Sequence, residues 1–209
     1  MSISKEELTK RVSEIANENG FVQGWLHNDA GAFLYQLARI NAPIPTVVEL
    51  GSWKGRSTSW LASAIKDRGE GKVYAVDTWD GTPGELEHVQ LLDGYNEDQL
   101  FDEFKENMEK LNLLAHVEPL RMNTIAGAKH WLNVYDGQPI GLLFIDAGHD
   151  FEDVLKDFEF WSPFVVKDGF IVFDDVPGWP GPTKVAFSLP KWYKNIGTTP
   201  NNVAFKKIV

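Results

Sequence analysis

Two stretches of the sequence drive an apolar run straight into acids: Leu143-Phe144-Ile145-Asp146-Ala147-Gly148-His149 and Ile171-Val172-Phe173-Asp174-Asp175. Asp146 and Asp174 are one strand–helix–strand unit apart, so both should emerge at the same sheet edge, where neighbouring strands lie about 4.8 Å apart. That brings three carboxylates within reach of one ion. Left unpaired, such a cluster raises the pKa of at least one member, and a divalent cation removes the repulsion. All-oxygen ligation by Asp146, Asp174 and Asp175 favours Mg2+, with Mn2+ or Ca2+ as alternatives. The competing reading has the same acids capping the turns that follow their strands. His149 follows Asp146 by three residues and titrates near neutrality, which suits it to take a proton from a hydroxyl. A fourth metal ligand is the other role open to it. His27, His88, His116 and His130 lack such neighbours and are given no role.

A second constellation lies upstream, where Val47-Val48-Glu49-Leu50-Gly51-Ser52-Trp53-Lys54-Gly55-Arg56-Ser57-Thr58 sets a strand, a Gly-x-x-x-Gly turn and a helix start in succession. Glycine lets backbone approach a ligand closely, and the helix start offers unpaired amides to an anionic group. Asp77, followed by Thr78, ends the next strand, at about the offset where an acid reads ribose hydroxyls in nucleoside-binding α/β folds. The pair indicates an adenosine-containing ligand. A dinucleotide would set its pyrophosphate on the helix amides, where the carboxylate of Glu49 repels it. Glu49 suits an ammonium group instead, and S-adenosylmethionine carries one together with a carboxylate for Ser57 and the helix amides. Trp53 and Trp79 offer aromatic faces to sulfonium and adenine; the plainer reading is aromatic packing under loops.

The elements that must position these residues follow from periodicity. Ser4 and Glu7 form a capping-box pattern ahead of a helix over 4–19, and Asp29 is placed to cap a second helix ended by Pro43 and Pro45. Strands are then expected at 46–50, 72–79, 116–122, 140–145, 170–173, 193–196 and 202–208. Helices are expected at 55–66, from Leu100 to Leu111, at 125–135, 151–161 and 184–188. Strands separated by helices pair in parallel. The two least interrupted runs, 140–145 and 170–173, belong at the centre. The fold class is therefore α/β, a doubly wound, Rossmann-like, mostly parallel seven-stranded sheet with two extra amino-terminal helices. Residues 1–209 read as a single domain, with 1–43 a helical cap and 45–209 the core. The polar stretch 80–97 is long enough for a lid, and Pro177–Pro182 reads as a stiff loop and substrate wall.

Glu49, Gly51, Trp53, Gly55, Ser57 and Asp77 align with the first two cofactor motifs of the class I methyltransferases, which the chain resembles. That resemblance implies that Met122, Asn123 and Thr124 lie beside the adenine. The segment 145–176, with Asp146, His149, Asp153, Asp157, Trp161, Lys167-Asp168-Gly169 and Asp174-Asp175, is similar to the metal-dependent macrolide-sugar O-methyltransferases of the mycinamicin and macrocin kind. There an Asp-x-x-His step and an Asp-Asp pair supply metal ligands and base. The likeness implies the same for Asp146, His149, Asp174 and Asp175, with a sugar or glycosylated metabolite as the acceptor. Catechol-type enzymes, more distant, have lysine in place of His149 and asparagine in place of the second acid, which argues against a catechol. The resemblance covers about residues 45–176.

Thirty acids against twenty bases give a net charge of −10, which repels phosphate backbones and anionic lipid, so neither a nucleic-acid nor a membrane partner is expected. The chain has no cysteine, so thiolate metal sites and cysteine nucleophiles are excluded. The amino-terminal residues lack the apolar stretch of a secretory signal, and the expected address is the cytoplasm. Exposed aromatics would allow a homodimer. The expected function is metal-assisted transfer of a methyl group from S-adenosylmethionine to a small-molecule hydroxyl. The alternatives are a phenolic acceptor, oxygenation chemistry on the same scaffold, an NAD-linked dehydrogenase, and a non-catalytic S-adenosylmethionine- or nucleotide-binding protein.

Overall fold

Alternation of apolar side chains, with the period of an extended strand, divides the interior into two cores. In β1 (Thr46–Leu50) Val47 faces one core while Val48 and Leu50 face the other. In the computed structural model, which describes residues 3–82 and 85–209, β1 is joined by β2 (Lys72–Asp77), β3 (Val117–Arg121), β4 (Ile140–Ile145), β5 (Val165–Phe173), β6 (Tyr193–Thr199) and β7 (Asn202–Lys207). The order is β3-β2-β1-β4-β5-β7-β6. Strands β1 to β5 pair in parallel, and β7 runs antiparallel to both β5 and β6. This is the expected doubly wound sheet, with β4 at its middle and the chain reversing direction of travel between β1 and β4. Ligands bind at such a switch point, beyond the strands' carboxyl ends.

The helices are α1 (Lys5–Glu18), α2 (Asn28–Gln36), α3 (Arg56–Arg68), α4 (Leu86–Leu91), α5 (Gln99–Lys110), α6 (Thr124–Val134), α7 (Phe151–Trp161) and α8 (Pro180–Phe187). Ile15, Leu34, Trp60 and Phe104, from α1, α2, α3 and α5, share a core with Leu142 and Phe144 of β4. Trp131, Phe158 and Val185, from α6, α7 and α8, pack against Leu143 and Ile145 on the other face. The capping box of α1 forms as expected: Ser4 Oγ accepts from the Glu7 amide (3.2 Å), and the Glu7 carboxylate accepts from the Ser4 amide (2.9 Å).

Several boundaries differ from expectation. His27, not Asp29, holds the N-cap position of α2, and α2 continues through a π turn over Leu37–Asn41 before Pro43 breaks it. β5 begins at Val165, its first half disguised by the exposed Lys167 and Asp168. The stretch 80–97 contains α4, although Pro83 and Gly84 lie outside the described residues. The loop expected over 177–182 stops at Trp179, because Pro180 starts α8, where its fixed φ and missing N–H fit the first helical position. Trp79 is 1% exposed, so for it core packing is the correct reading, and Trp131 and Trp161 are buried in the same way. Among the described residues no helix is long and apolar enough to cross a membrane.

Candidate active site

The end of β1 curls because two groups permit it. Gly51 sits at φ +84°, and a Cβ there would lie 2.1 Å from the Asp146 carbonyl oxygen, so glycine is what lets the rims of β1 and β4 touch. Asp77, at the end of β2, then gathers the turn. Its Oδ2 accepts from the amides of Ser52 (2.7 Å) and Trp53 (2.8 Å), and its Oδ1 accepts from the Trp79 amide (2.7 Å). Trp53 and Trp79 adopt positive φ to present those amides. Asp77, from which a ribose contact was expected, is thus the clamp of the turn, with acceptor capacity left on Oδ1.

A cavity of about 670 Å³ opens here, within the usual range for a small-molecule site. Gly51, Trp53, Ser57, Asp77 and Thr78 line it from the turn side, and Asn123, Thr124 and Asp146 line it from the next strands. Two expected contacts are not among the lining residues. Glu49 is fully buried beneath the turn, its Oε2 accepting from Ser52 Oγ (2.8 Å) and Thr58 Oγ1 (2.5 Å) while Oε1 has no partner. Burial pushes its pKa up to about 7 against the pull of those hydroxyls and of Ser57. Gly55 caps α3 in the left-handed region and packs against Met108 and Phe104. Both residues shape the turn from behind. Asn123 lines the cavity while its Oδ1 caps α6 by accepting from the Ala126 amide (2.8 Å).

The acids meet as their strands dictate. The Asp146 amide donates to the Leu50 carbonyl (2.8 Å) and the Asp174 amide to the Ile145 carbonyl (3.0 Å), extending the parallel ladder to the rim. Burial first, and then the Asp174 and Asp175 charges, raise the pKa of Asp146 well above its ordinary value. Burial and Asp175 raise that of Asp174 as well. Asp174 Oδ1 accepts from the Asp175 amide (2.9 Å) and from Asn202 Nδ2 (2.8 Å), and Asp175 Oδ1 accepts from Asn201 Nδ2 (2.9 Å).

His149 stands against this cluster, its Nε2 2.7 Å from Asp175 Oδ2 and its Nδ1 on the Glu85 carboxylate. The ring stacks on Trp179 at 4.2 Å between centroids and 10° between planes. Burial lowers the imidazole pKa, but Asp175 and then Glu85 outweigh it and hold the ring above its ordinary value. Glu85 also approaches His88, its Oε2 3.9 Å from Nε2; His88 stacks on Trp53 (4.6 Å) beside Trp25 (5.3 Å), and Trp25 Nε1 donates to Glu87 Oε1 (3.0 Å). His88, given no role from the sequence, therefore belongs to the cavity wall. Glu85, Asn201 and Asn202 were also missed. Glu85 directly precedes α4 in the stretch read as a lid, and the asparagines form the turn between the two closing strands, which returns beside β5.

The donor chemistry of the acid cluster, three neighbouring carboxylates with Asp146 and Asp174 raised in pKa first by burial and then by neighbouring charge, is that of a hard divalent cation's ligands. Among the described residues, however, no three acidic or histidine side chains are disposed around one point as a ready-made cage. Asp174 and Asp175 are instead satisfied separately, by the two asparagines and by His149.

Sheet order, glycine turn and switch-point cavity together define a class I methyltransferase fold. Residues 48–176 match the Methyltransf_24 model, a methyltransferase domain, and the chain belongs to that family. The solved O-methyltransferase TomG of Streptomyces achromogenes, involved in tomaymycin synthesis and in complex with S-adenosylmethionine, superposes with a TM-score of 0.63 at 15% identity, over 99% of this chain and 92% of that one. CalS11, a TDP-rhamnose 3'-O-methyltransferase of calicheamicin biosynthesis, does so with a TM-score of 0.61 at 16% identity, over 99% of this chain and 96% of that one. Identities this low speak for the fold alone. Uncharacterized protein R132 of Acanthamoeba polyphaga mimivirus is 33% identical over 76 residues, 30% of this chain, and the chain spans about a third (34%) of the length of that relative.

Proposed function

We propose that the protein is an S-adenosylmethionine-dependent O-methyltransferase acting on a small-molecule hydroxyl, first of all on a sugar or glycosylated metabolite. The observation that carries this reading is the pairing of His149 and Asp175 on the wall of the same cavity that the glycine turn opens into. In it, the methionine end of the donor lies on Gly51, Trp53 and Ser57, and its ribose lies at Asp77 and Thr78. As folded, Asp175 and Glu85 favour a charged imidazole. An acceptor hydroxyl entering between His149 and Asp175 takes the place of that carboxylate, which removes the largest support of the charged form and lets the ring release its Nε2 proton to solvent; the neutral Nε2 then accepts the hydroxyl proton as the oxygen bonds to the methyl carbon and the methyl–sulfur bond breaks to leave S-adenosylhomocysteine. Glu85 holds Nδ1 throughout, which fixes the ring's orientation and stabilises the charge it gains. Trp179, 45% exposed beside this pair, offers a flat apolar face to a sugar ring.

Asp146, Asp174 and Asp175 are the residues that would hold a divalent cation, whose contribution when bound is to lower the pKa of an acceptor hydroxyl. The sugar acceptor is supported by the activity of CalS11, a methyltransferase of TDP-rhamnose that shares the fold. The test is methyl transfer from labelled S-adenosylmethionine to a panel of nucleotide sugars, glycosides and catechols, with Mg2+ and after EDTA treatment. Transfer to a sugar hydroxyl that falls at least about 100-fold with EDTA and returns with Mg2+ supports the whole reading. Transfer indifferent to EDTA removes the metal, transfer to catechols alone removes the sugar, and failure to bind S-adenosylhomocysteine removes the cofactor.

A further inference from the structure

Trp25 lines the cavity and is 47% exposed, yet it is held in place. Its indole packs on Trp53 (5.6 Å between centroids) and on His88 (5.3 Å), and its Nε1 donates to Glu87 Oε1 (3.0 Å). An indole pinned by two rings and a carboxylate, with nearly half its surface open, is a prepared face and not core filler. Trp53 behind it is already occupied: His88 stacks on it at 4.6 Å, and Lys54 Nζ lies 5.8 Å from its centroid. Among the described residues, none of the cations that lie over a ring lies over that of Trp25.

The surrounding charges decide what such a face attracts. The cavity wall is rich in carboxyl groups and carries one arginine and one lysine, Arg56 and Lys156. Both are engaged. Arg56 donates to the Leu26 and Val22 carbonyls (3.0 Å each) and to Asn28 Oδ1 (3.1 Å), and Lys156 pairs with Asp153 (3.3 Å). Of the acids on the wall, Asp153 alone meets a lysine or arginine among the described residues. His88 adds no positive charge, since burial lowers its pKa and its Nδ1 accepts from the Thr82 amide (3.0 Å). A phosphate group entering here meets carboxylates and no unengaged cation. An ammonium group meets an indole face with the Glu87 carboxylate at its edge, the pairing that favours a cation most. Glu85 touches both His149 and His88, so this face stands next along the wall from the proposed base.

We propose that Trp25 and Glu87 form a subsite for a cationic amine carried by the methyl acceptor, as in an amino sugar. The assignment rests on the methyltransferase reading above. It is tested with choline and its uncharged isostere 3,3-dimethylbutan-1-ol, titrated by nuclear magnetic resonance into protein saturated with S-adenosylhomocysteine. With the donor half filled, the probes report on the rest of the cavity. The unmodified protein should bind choline about 10-fold or more tightly than the isostere, as a partly desolvated cation–π contact beside a carboxylate requires. Trp25→Leu keeps an apolar side chain, and Glu87→Gln keeps an acceptor for the indole N–H. Each should cut the preference to about 3-fold or less, and since both residues are exposed neither change opens the core. Equal binding of the two probes to the unmodified protein, or binding of neither, would overturn the proposal without any variant. A preference that survives both substitutions would overturn it as well, because the ammonium would then be held elsewhere. Failure to bind S-adenosylhomocysteine, read by calorimetry beforehand, would instead remove the donor reading, and the acceptor role of this subsite with it.

Discussion

The two sides of the cavity are built by different means. The turn side is one short stretch, Glu49 to Thr58, closed by Asp77 through three backbone amides. Its shape is therefore a property of main chain and sheet. The acid side gathers Glu85, Asp146, His149, Asp174, Asp175, Asn201 and Asn202 from separate segments, and side-chain pairs hold it together. The first kind of construction presents a rigid surface, which suits the proposed methyl donor, a ligand that is the same in every turnover. The second can exchange partners as protons and acceptors come and go, because each carboxylate is satisfied by a neighbour that another group can replace.

That contrast is broken most directly by substituting one residue on each side. His149→Ala should lower kcat by about 100-fold to 10,000-fold, the span general-base catalysis supplies, while the affinity for S-adenosylhomocysteine stays within about 3-fold. A parallel loss of cofactor affinity, measured by calorimetry, would show that the two sides are not separable. Gly51→Ala should do the reverse and more bluntly. The left-handed φ and the collision with the Asp146 carbonyl cost about 2–5 kcal/mol, or roughly 4–20 °C in Tm. Cofactor binding should weaken together with stability. Thermal melts with and without S-adenosylhomocysteine check both, and an unchanged melt would mean that the turn relaxes where the geometry says it cannot.

The same contrast explains what could be read from the sequence. Strands β1 and β4 were legible to the residue because uninterrupted apolar runs in a parallel sheet have few other uses, and the glycine turn and Asp77 were legible because their spacing is local. Asp146, Asp174 and Asp175 were found because each ends such a run. Glu85, Asn201 and Asn202 were not, since a glutamate among polar neighbours and a pair of asparagines in a turn carry no periodic signal. Only tertiary folding brings them to the rim. His88 was passed over for the same reason: it became part of the cavity wall through stacking on Trp53 and Trp25, contacts made across about thirty and sixty positions of chain. Glu49 and Gly55 differ in the other direction, their types and spacing matching the motif while the fold sets them behind the residues that line the cavity.

A smaller effect sharpens the acid side. Glu85→Gln removes the charge on His149 Nδ1 but keeps a group able to accept its hydrogen bond. Turnover should drop by about 3-fold to 10-fold, in line with a charged hydrogen bond becoming a neutral one, and cofactor affinity should not move. Glu85→Ala should be worse than Glu85→Gln. If the two variants were equal, the contact with His149 would have no part in turnover, and the segment ahead of α4 would be a cover and nothing more.

The smallest expected effect lies where the contrast itself is weakest, at the one carboxylate buried under the turn. Glu49 has its pKa raised from an ordinary 4.5 to about 7 by burial, so the folded protein holds a proton that the unfolded chain releases earlier. Below about pH 4.5 both states are protonated and the group's full contribution to stability is present. As pH rises toward 7 the unfolded chain ionises first and stability falls, by at most about 1.4 kcal/mol per pH unit for one group; above that the contribution is gone and the dependence levels off. Asp157, raised from 3.8 to about 7, acts with the same sign. Glu49→Gln should therefore leave part of the decline between pH 5 and 7 and remove the rest, read as a shallower slope of denaturant-derived stability against pH. An unchanged slope would mean that Glu49 is ionised in the native protein, with Ser52, Ser57 and Thr58 donating strongly enough to hold the charge. The turn would then carry a fixed negative charge directly beneath the methionine end of the donor, and the two sides of the cavity would be more alike than their construction implies.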